Sequence, residues 1–532
     1  MSMTLMMHQD HLSSHPSTKH ESFVDKHIQT TAKKGVNTSN NSQKLDDGLH
    51  NVAGLDCSAH GGPSNDLAEE MVYWKNLPND ESYVSPFQDP DQRRYLTFEP
   101  DGGGWNNIRM SMETVLAMAI ATGRVLVLPP SQKMYLLGGT DFSFADFFPL
   151  HSIAKEHPGL EIITMKQFLE ETNGKLKNTE TNQISYPPHN TTEWDGNTAT
   201  MKNELNPWLR TIAYNADWNP DKCLAGFPAS KTFTSESTLT STFEQVNSKN
   251  VNFEQFFNQP TSVNGTVHDR MAEFIAGRNE MCIYDNQVQR EQVVHFAGKA
   301  KLAGGRLLVH FYAFLFFADW KTDLWMKRFV RDHVRYIDDI QCAAARIVAA
   351  VREDARKKIS NNPDGIFDSF HIRRGDFQYK KTRVEAMEIL KAAKDEIPEG
   401  TFVYVATDER DKKFFADMEG YWNVVYMDNY MHLLDGVNKN FFGMIDQLVS
   451  SRGRTFFGCW FSTFTGYITR LRGYHSQNAQ AEGYEMGLLP DTYYYAVIDH
   501  KKKLHDFWPV KKLYYAREYP VSWRNIDFDA PI

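Results

Sequence analysis

The sequence predicts two doubly wound α/β domains in tandem behind a polar tail, and three observations carry that reading. Residues 95–130 run strand, Gly-rich turn, helix, strand. From residue 367 to about residue 473, short apolar strands and helical stretches alternate again. Residues 1–75 are rich in Ser, Asn, His and Lys and poor in aromatics, a composition that reads as a disordered tail. The 532 residues are 41% hydrophobic and 13% aromatic, which leaves room for two or three domains.

In chain order, "YLTFE" is a strand and "PDGGGWNN" a tight turn. "NIRMSMETVLAMAIATG" has helical spacing, with Met110, Val115, Met118 and Ala119 on or near one face and Gly123 as the stop. "RVLVLPP" is a buried strand closed by prolines. Such a βαβ unit implies a parallel sheet with right-handed crossovers. Residues 170–265 are rich in Asn, Thr and Ser and broken at Pro187-Pro188, so long loops around small elements are expected. "GGRLLVHFYAFLFF" (304–317) is a buried strand or core segment. "MKRFVRDHVRYIDDIQCAAARIVAAVRE" (326–353) is helical, with a break near Tyr336 to Asp338. A strand at 367–372, a helix near 382–396 and a strand at 401–409 follow. Then come strand "WNVVYM", helix "NFFGMIDQLVSSRG", strand "RTFFGC" and helix "STFTGYITRLRGY", with Ser462 or Thr463 as N-cap. The expected division is a tail at 1–75, a first domain at 92–325 and a second at 326–532, with a C-terminal segment returning to the first.

Ligands of open parallel sheets sit at the carboxyl ends of the strands. Polar motifs fall there in both domains: Gly102-Gly103-Gly104, His371 to Arg374, Thr407 to Glu409, and Ser462-Thr463. Together they predict a cleft between the domains. Side chains alternate along a strand, so at most one of Arg373 and Arg374 faces a ligand. A guanidinium matches phosphate oxygens with two parallel hydrogen bonds, and a helix N-terminus offers free N–H groups. Arginines at strand ends are usually solvated and N-caps are common; found jointly at one sheet edge, they point to a diphosphate. The glycines of "DGGGWNN" permit close backbone approach for an acceptor or sugar, or form a tight βα turn.

Other readings fall away. Net charge is −9, which gives no case for a nucleic-acid partner. No G-x-G-x-x-G, Walker lysine or G-x-S-x-G is present. Asp89-Pro90-Asp91 precedes a strand instead of ending one, so no metal is expected there. His8, His11, His15, His20 and His27 belong to the polar tail. The adhesion tripeptide Arg374-Gly375-Asp376 sits at a buried strand end. The five cysteines have no metal-site spacing and allow one or two disulfides. Sequons at Asn37, Asn40, Asn190 and Asn264 hint at a secretory route. The start lacks a signal-peptide core, and no run reaches the roughly 18 apolar residues of a membrane span, so a soluble chain is expected and a cytoplasmic one stays open. Nothing sets an oligomeric state.

"HIRRGDF", "YVATDE" and "DQLVSSRGRTFFGCWFSTFTGYITRLRGYH" resemble the GDP-fucose protein O-fucosyltransferase family, its plant and algal branches above all. So do "GGGWNNIRMSMETVLAMAIATGRVLVLPP", "HFYAFLFF", "KRFVRDHVRY" and "YPVSWRNIDF", in the family's order from about 95 to 528. The resemblance implies a GT-B-like fold, two Rossmann-like domains facing a cleft. It implies inverting, metal-independent transfer of fucose from GDP-fucose to a protein or glycan, without a cofactor, in the ER or Golgi lumen. Arg373 matches the arginine at the donor's β-phosphate, and His371 the histidine beside the donor. Arg374 and Asp376 match the wider motif. Ser462, Thr463 and Phe464 match the segment that holds phosphates and nucleoside. Asp408 is carried over as a residue near the base or ribose, and Asn106 with Gly103 and Gly104 as the first turn. Family members with a clear catalytic base have a glutamate where Gly103 stands, which leaves Asp101 and Glu99 as candidate bases. The departure also loosens the tie to protein acceptors and leaves a rhamnose donor with a polysaccharide acceptor, or an inactive sugar-nucleotide binder, as alternatives.

Overall fold

The computed structural model describes residues 54–139, 141–157, 159–188, 200–298, 306–375, 379–496, 500–503, 510 and 515–530. The first sheet uses β1 (Tyr95–Phe98), β2 (Val125–Leu128), β3 (Ile162–Thr164), β4 (Tyr214–Asn215) and β7 (Val293–Phe296), in the order β3-β2-β1-β7-β4 and all parallel. A small parallel sheet, β6-β5-β8, is built from β5 (Cys223–Phe227), β6 (Glu280–Ile283) and β8 (Leu315–Phe317). The second large sheet has β9 (Asp368–Ile372), β10 (Phe402–Thr407), β11 (Asn423–Val425), β12 (Phe456–Cys459), β13 (Thr492–Ala496) and β14 (His500–Lys503). Its order is β11-β10-β9-β12-β13-β14, parallel except for the β14 edge. Every residue of β1, β2, β9 and β12 is buried, as strands covered on both faces require.

The helices that matter below are α1 (Trp105–Thr122), α2 (Leu150–Glu156), α3 (Phe233–Asn247), α4 (Trp320–His333), α5 (Asp338–Lys358), α6 (Phe442–Ser451) and α7 (Thr463–Asn478). Helix α1 crosses from β1 to β2 and stops where Gly123 turns left-handed at φ 64°. The two α/β domains and their strand ends match expectation. Within 306–317 a 3₁₀ turn at Phe311–Ala313 leads into the buried strand β8, which joins the small sheet.

Two expectations need correction. Residues 54–75 do not behave as a tail. Leu55, Cys57, Met71, Tyr73 and Trp74 are buried, Cys57 is disulfide-bonded to Cys342 of α5, and Trp74 lies under the Arg335 guanidinium at 4.1 Å. A few anchors in a polar composition suffice to dock a segment onto an existing core. Within 170–265, α3 is a 15-residue helix capped by Thr232. Its Ser and Thr face solvent while Leu239, Phe243 and Val246 recur at helical spacing toward the core. Composition masked that period. The expected break near Tyr336 to Asp338 is present: it separates α4 from α5, where Ile337 is the N-cap, and α4 packs on α1 of the first sheet and α5 on α6 of the second.

A second disulfide, Cys223–Cys282, joins β5 to β6, and Cys459 is a buried free thiol. Residues 515–530 run back along both halves. Trp523 lies so close to α7 that a Cβ at Gly473 would meet its indole at about 2.6 Å. Asp527 pairs with Arg331 of α4 at 2.8 Å, and Arg524 with Glu273 at 3.1 Å. No helix among the described residues is long and apolar enough to cross a membrane.

Candidate active site

At the carboxyl edge of the second sheet, β9 ends at Ile372, so Arg373 and Arg374 leave the strand in different directions. Arg374 is committed to its own loop. Its guanidinium lies 3.7 Å from the Phe414 ring, pairs with Glu409 at 3.1 Å and donates to the Val384 carbonyl. Arg373 instead pairs with Asp408 at 3.0 Å and keeps part of its side chain exposed. Asp408 also accepts the N–H groups of Arg374 at 2.7 Å and Gly375 at 3.1 Å. A Cβ at Gly375 would meet that carboxylate at 2.6 Å, so glycine is needed for the loop to close over it. Asp408, expected near the base or ribose, is thus bound into the loop that carries Arg373. Asp376 lies outside the described residues.

Next to this loop, α7 begins directly after β12. Ser462 is its N-cap residue, yet no side chain caps the helix. The first-turn N–H groups of an uncapped helix and its dipole favour an anion. His371 packs into the same corner. Its Nδ1 lies 2.7 Å from the Thr465 hydroxyl, and its ring stacks on Phe464 at 4.3 Å. Burial, with the Arg373 charge added, drops its pKa to about 3, so the imidazole is neutral at physiological pH. This neutral ring holds Phe464 and Thr465 in place. Thr465 also receives the Cys459 N–H at 2.9 Å, which fixes the β12–α7 turn.

The first sheet's edge meets this one. Gly104 is the N-cap of α1, again with no side-chain cap. Asn106 accepts from Gln447 of α6 at 2.9 Å, and the same Gln447 amide donates to the Phe464 carbonyl at 3.2 Å. Thr463 donates to Asn107 at 3.1 Å. The N-termini of α1 and α7 are thus held face to face at the carboxyl edges of two parallel sheets. Deeper in, Arg470 of α7 binds Glu113 of α1 at 2.8 Å and Glu518 at 2.9 Å, which ties the helices together behind the cleft.

The candidate bases are occupied. Asp101 takes both nitrogens of the Arg306 fork, at 2.7 and 2.5 Å, and the Gly103 N–H at 2.7 Å. Glu99 is bound by Arg210 and His295. Burial raises its pKa, but those partners outweigh it and hold the carboxyl below the usual range. At Gly103 a Cβ would fall on the Asn107 side-chain amide, so a larger residue would push aside the group that bonds Thr463.

The structure adds residues that the sequence did not single out. Phe461, just before Ser462, has φ 66°, a left-handed conformation that strains a non-glycine residue. Its ring is held on Tyr379 at 4.9 Å and faces the Arg517 guanidinium at 5.0 Å. A backbone angle leaves no trace in composition or periodicity. Gln447 and Asn107 were within reach, since both lie inside the quoted segments "DQLVSSRGRTFFGC" and "GGGWNN".

A family model described as GDP-fucose protein O-fucosyltransferase matches residues 95–475. Similar solved structures include NodZ alpha-1,6-fucosyltransferase soaked with GDP-fucose, with 15% identity, 77% of this chain and 98% of that chain covered, and a TM-score of 0.34. POFUT1 in complex with GDP shows 14% identity, 72% and 95% coverage and a TM-score of 0.31. Fucosyltransferase NodZ from Bradyrhizobium shows 15% identity, 71% and 93% coverage and a TM-score of 0.31. No curated protein matches the sequence.

Proposed function

Because the chain belongs to the GDP-fucose protein O-fucosyltransferase family, we propose that it transfers fucose from GDP-fucose to a hydroxyl of a protein or glycan, with inversion and without a metal at the reacting centre. The observation that carries this reading is that Arg373 follows β9 and the uncapped N-terminus of α7 follows the neighbouring parallel strand β12, at one sheet edge. The diphosphate lies against the Ser462 and Thr463 N–H groups, with Arg373 at the oxygen that leaves. As the bond between the sugar carbon and the β-phosphate oxygen breaks, charge grows on that oxygen, and a fixed guanidinium stabilises it. Asp408 holds Arg373 in position. The acceptor oxygen bonds to the sugar carbon, and its proton passes to the departing phosphate. Asp101 and Glu99 are already ion-paired, so neither serves as the base. The two disulfides fit an oxidising compartment such as the ER or Golgi lumen.

Gly103 favours a second reading. With no room for a base on that turn, the chain would bind a sugar nucleotide without transferring it, or use another deoxysugar donor such as UDP-rhamnose. Two measurements on the purified chain separate these. The first is thermal protection by GDP-fucose, UDP-rhamnose and GDP; the second is GDP release from GDP-fucose. Protection by GDP-fucose with GDP release supports fucosyl transfer. Protection by UDP-rhamnose alone would move the donor, and protection without release would leave a binder.

A further inference from the structure

Away from the cleft, three side chains that could bind a metal ion converge where two helices end. Glu156 is the last residue of α2, His157 is its C-cap, and His333 is the last residue of α4. One carboxylate oxygen and one nitrogen from each imidazole all lie within 4.8 Å of one another. The Glu156 carboxylate is 2.9 Å from Nδ1 of His333, and the two imidazoles meet edge to face at 4.3 Å. The decisive observation is His157. It is only 2% exposed, and neither of its ring nitrogens has a hydrogen-bond partner among the described residues. A buried imidazole ordinarily satisfies at least one nitrogen. Its neighbours Trp325 and Phe329 offer apolar rings, so packing supplies no polar partner from that side.

We propose that Glu156, His157 and His333 bind a divalent transition-metal ion, Zn²⁺ by preference, with a water in the fourth position. Two imidazoles and one carboxylate are a borderline-soft set that suits zinc, and small rotations draw the three atoms from their present spacing to about 2 Å from a common centre. The carboxyl-terminal ends of α2 and α4 both point at the cluster, and their dipoles favour a cation there. Glu156 is the most exposed of the three, with 20% of its side chain accessible, and gives the ion a way in. None of these residues belongs to the donor or acceptor edges, so the ion braces α2 against α4 and takes no part in transfer.

The test uses the full chain with His8, His11, His15, His20 and His27 replaced by Asn, so that tail histidines do not compete. The chelator-stripped protein is dialysed against Zn²⁺ and its metal content, melting temperature and zinc X-ray absorption are measured. The expected result is one zinc per chain, a melting temperature a few degrees higher, and absorption showing two imidazole ligands. H157N or H333N should each lose the bound zinc and the thermal shift. If either misfolds, E156Q should still fold and bind zinc at least tenfold more weakly. Zinc absent from the tail variant, or zinc bound equally by E156Q, overturns the proposal.

Discussion

The two facing sheet edges are built from the same materials, arginines, carboxylates and a helix N-terminus, and use them differently. At the first edge each carboxylate is already neutralised: Asp101 by the bidentate Arg306, and Glu99 by Arg210 and His295. At the second, Asp408 binds the loop N–H groups and the Arg373 side chain together and Glu409 holds Arg374, while the α7 N-terminus stays uncapped. Both edges pair their arginines with carboxylates; the second differs in that Asp408 ties the Arg373 loop together beside the uncapped α7 N-terminus. In the proposed function the donor's diphosphate lies at the second edge, and the acceptor approaches the first, where Asp101 and Glu99 are both ion-paired.

The sharpest way to break that contrast is to remove Arg373. Arg373→Ala should lower sugar transfer or donor turnover by about 10²- to 10³-fold, the loss expected for one group that stabilises leaving charge. Its melting temperature should stay near wild type. Next in size is Gly103→Glu, which supplies the acid found elsewhere in the family. Here it should displace Asn107 from Thr463 and reduce turnover about tenfold or more; a gain in turnover would show that the first edge lacks only a base. Asp408→Asn keeps the shape but weakens the hold on Arg373, so kcat should fall about tenfold, with a smaller change in KM. Asp101→Asn should leave turnover within about threefold, with no new inflection in the pH–rate profile. A loss above about 10²-fold would instead mark Asp101 as the base.

The smallest effect concerns stability beneath the second edge. Burial in α6 raises the Asp446 carboxyl to about 7, with Tyr404 donating to it at 2.5 Å. A carboxyl whose folded pKa is raised stays protonated in the folded chain while the unfolded chain ionises. Stability therefore falls as pH rises from about 4 to 7 and then levels off. Asp446→Asn should remove that slope, gaining on the order of 1 kcal/mol at pH 8 and little at pH 4, as read by denaturant midpoints at the two pH values.

Much of this site was legible in the sequence because strand ends announce themselves. Apolar runs that stop abruptly at "RRGD", "TDE" or "STF" mark where each motif sits, and the alternation of Arg373 and Arg374 sends the two side chains to different partners, Asp408 and Glu409. The helix α3 was missed because its solvent face is Ser and Thr. Residues 54–75 were missed because a disulfide and a few aromatics dock them. Which carboxylate is available could not be read at all. Arg306 is 205 residues from Asp101, and Arg210 is 111 from Glu99, so these pairings exist only once the sheet has formed. Nor could the strain at Phe461, which depends on Tyr379 and Arg517 closing over it.

The central claim, that Arg373 and the α7 N-terminus form a diphosphate clamp, is tested most directly by calorimetric titration of GDP into wild type and Arg373→Ala at matched fold. Wild type should bind GDP, and the variant should bind it at least tenfold more weakly. Equal affinity in the two proteins would contradict the clamp.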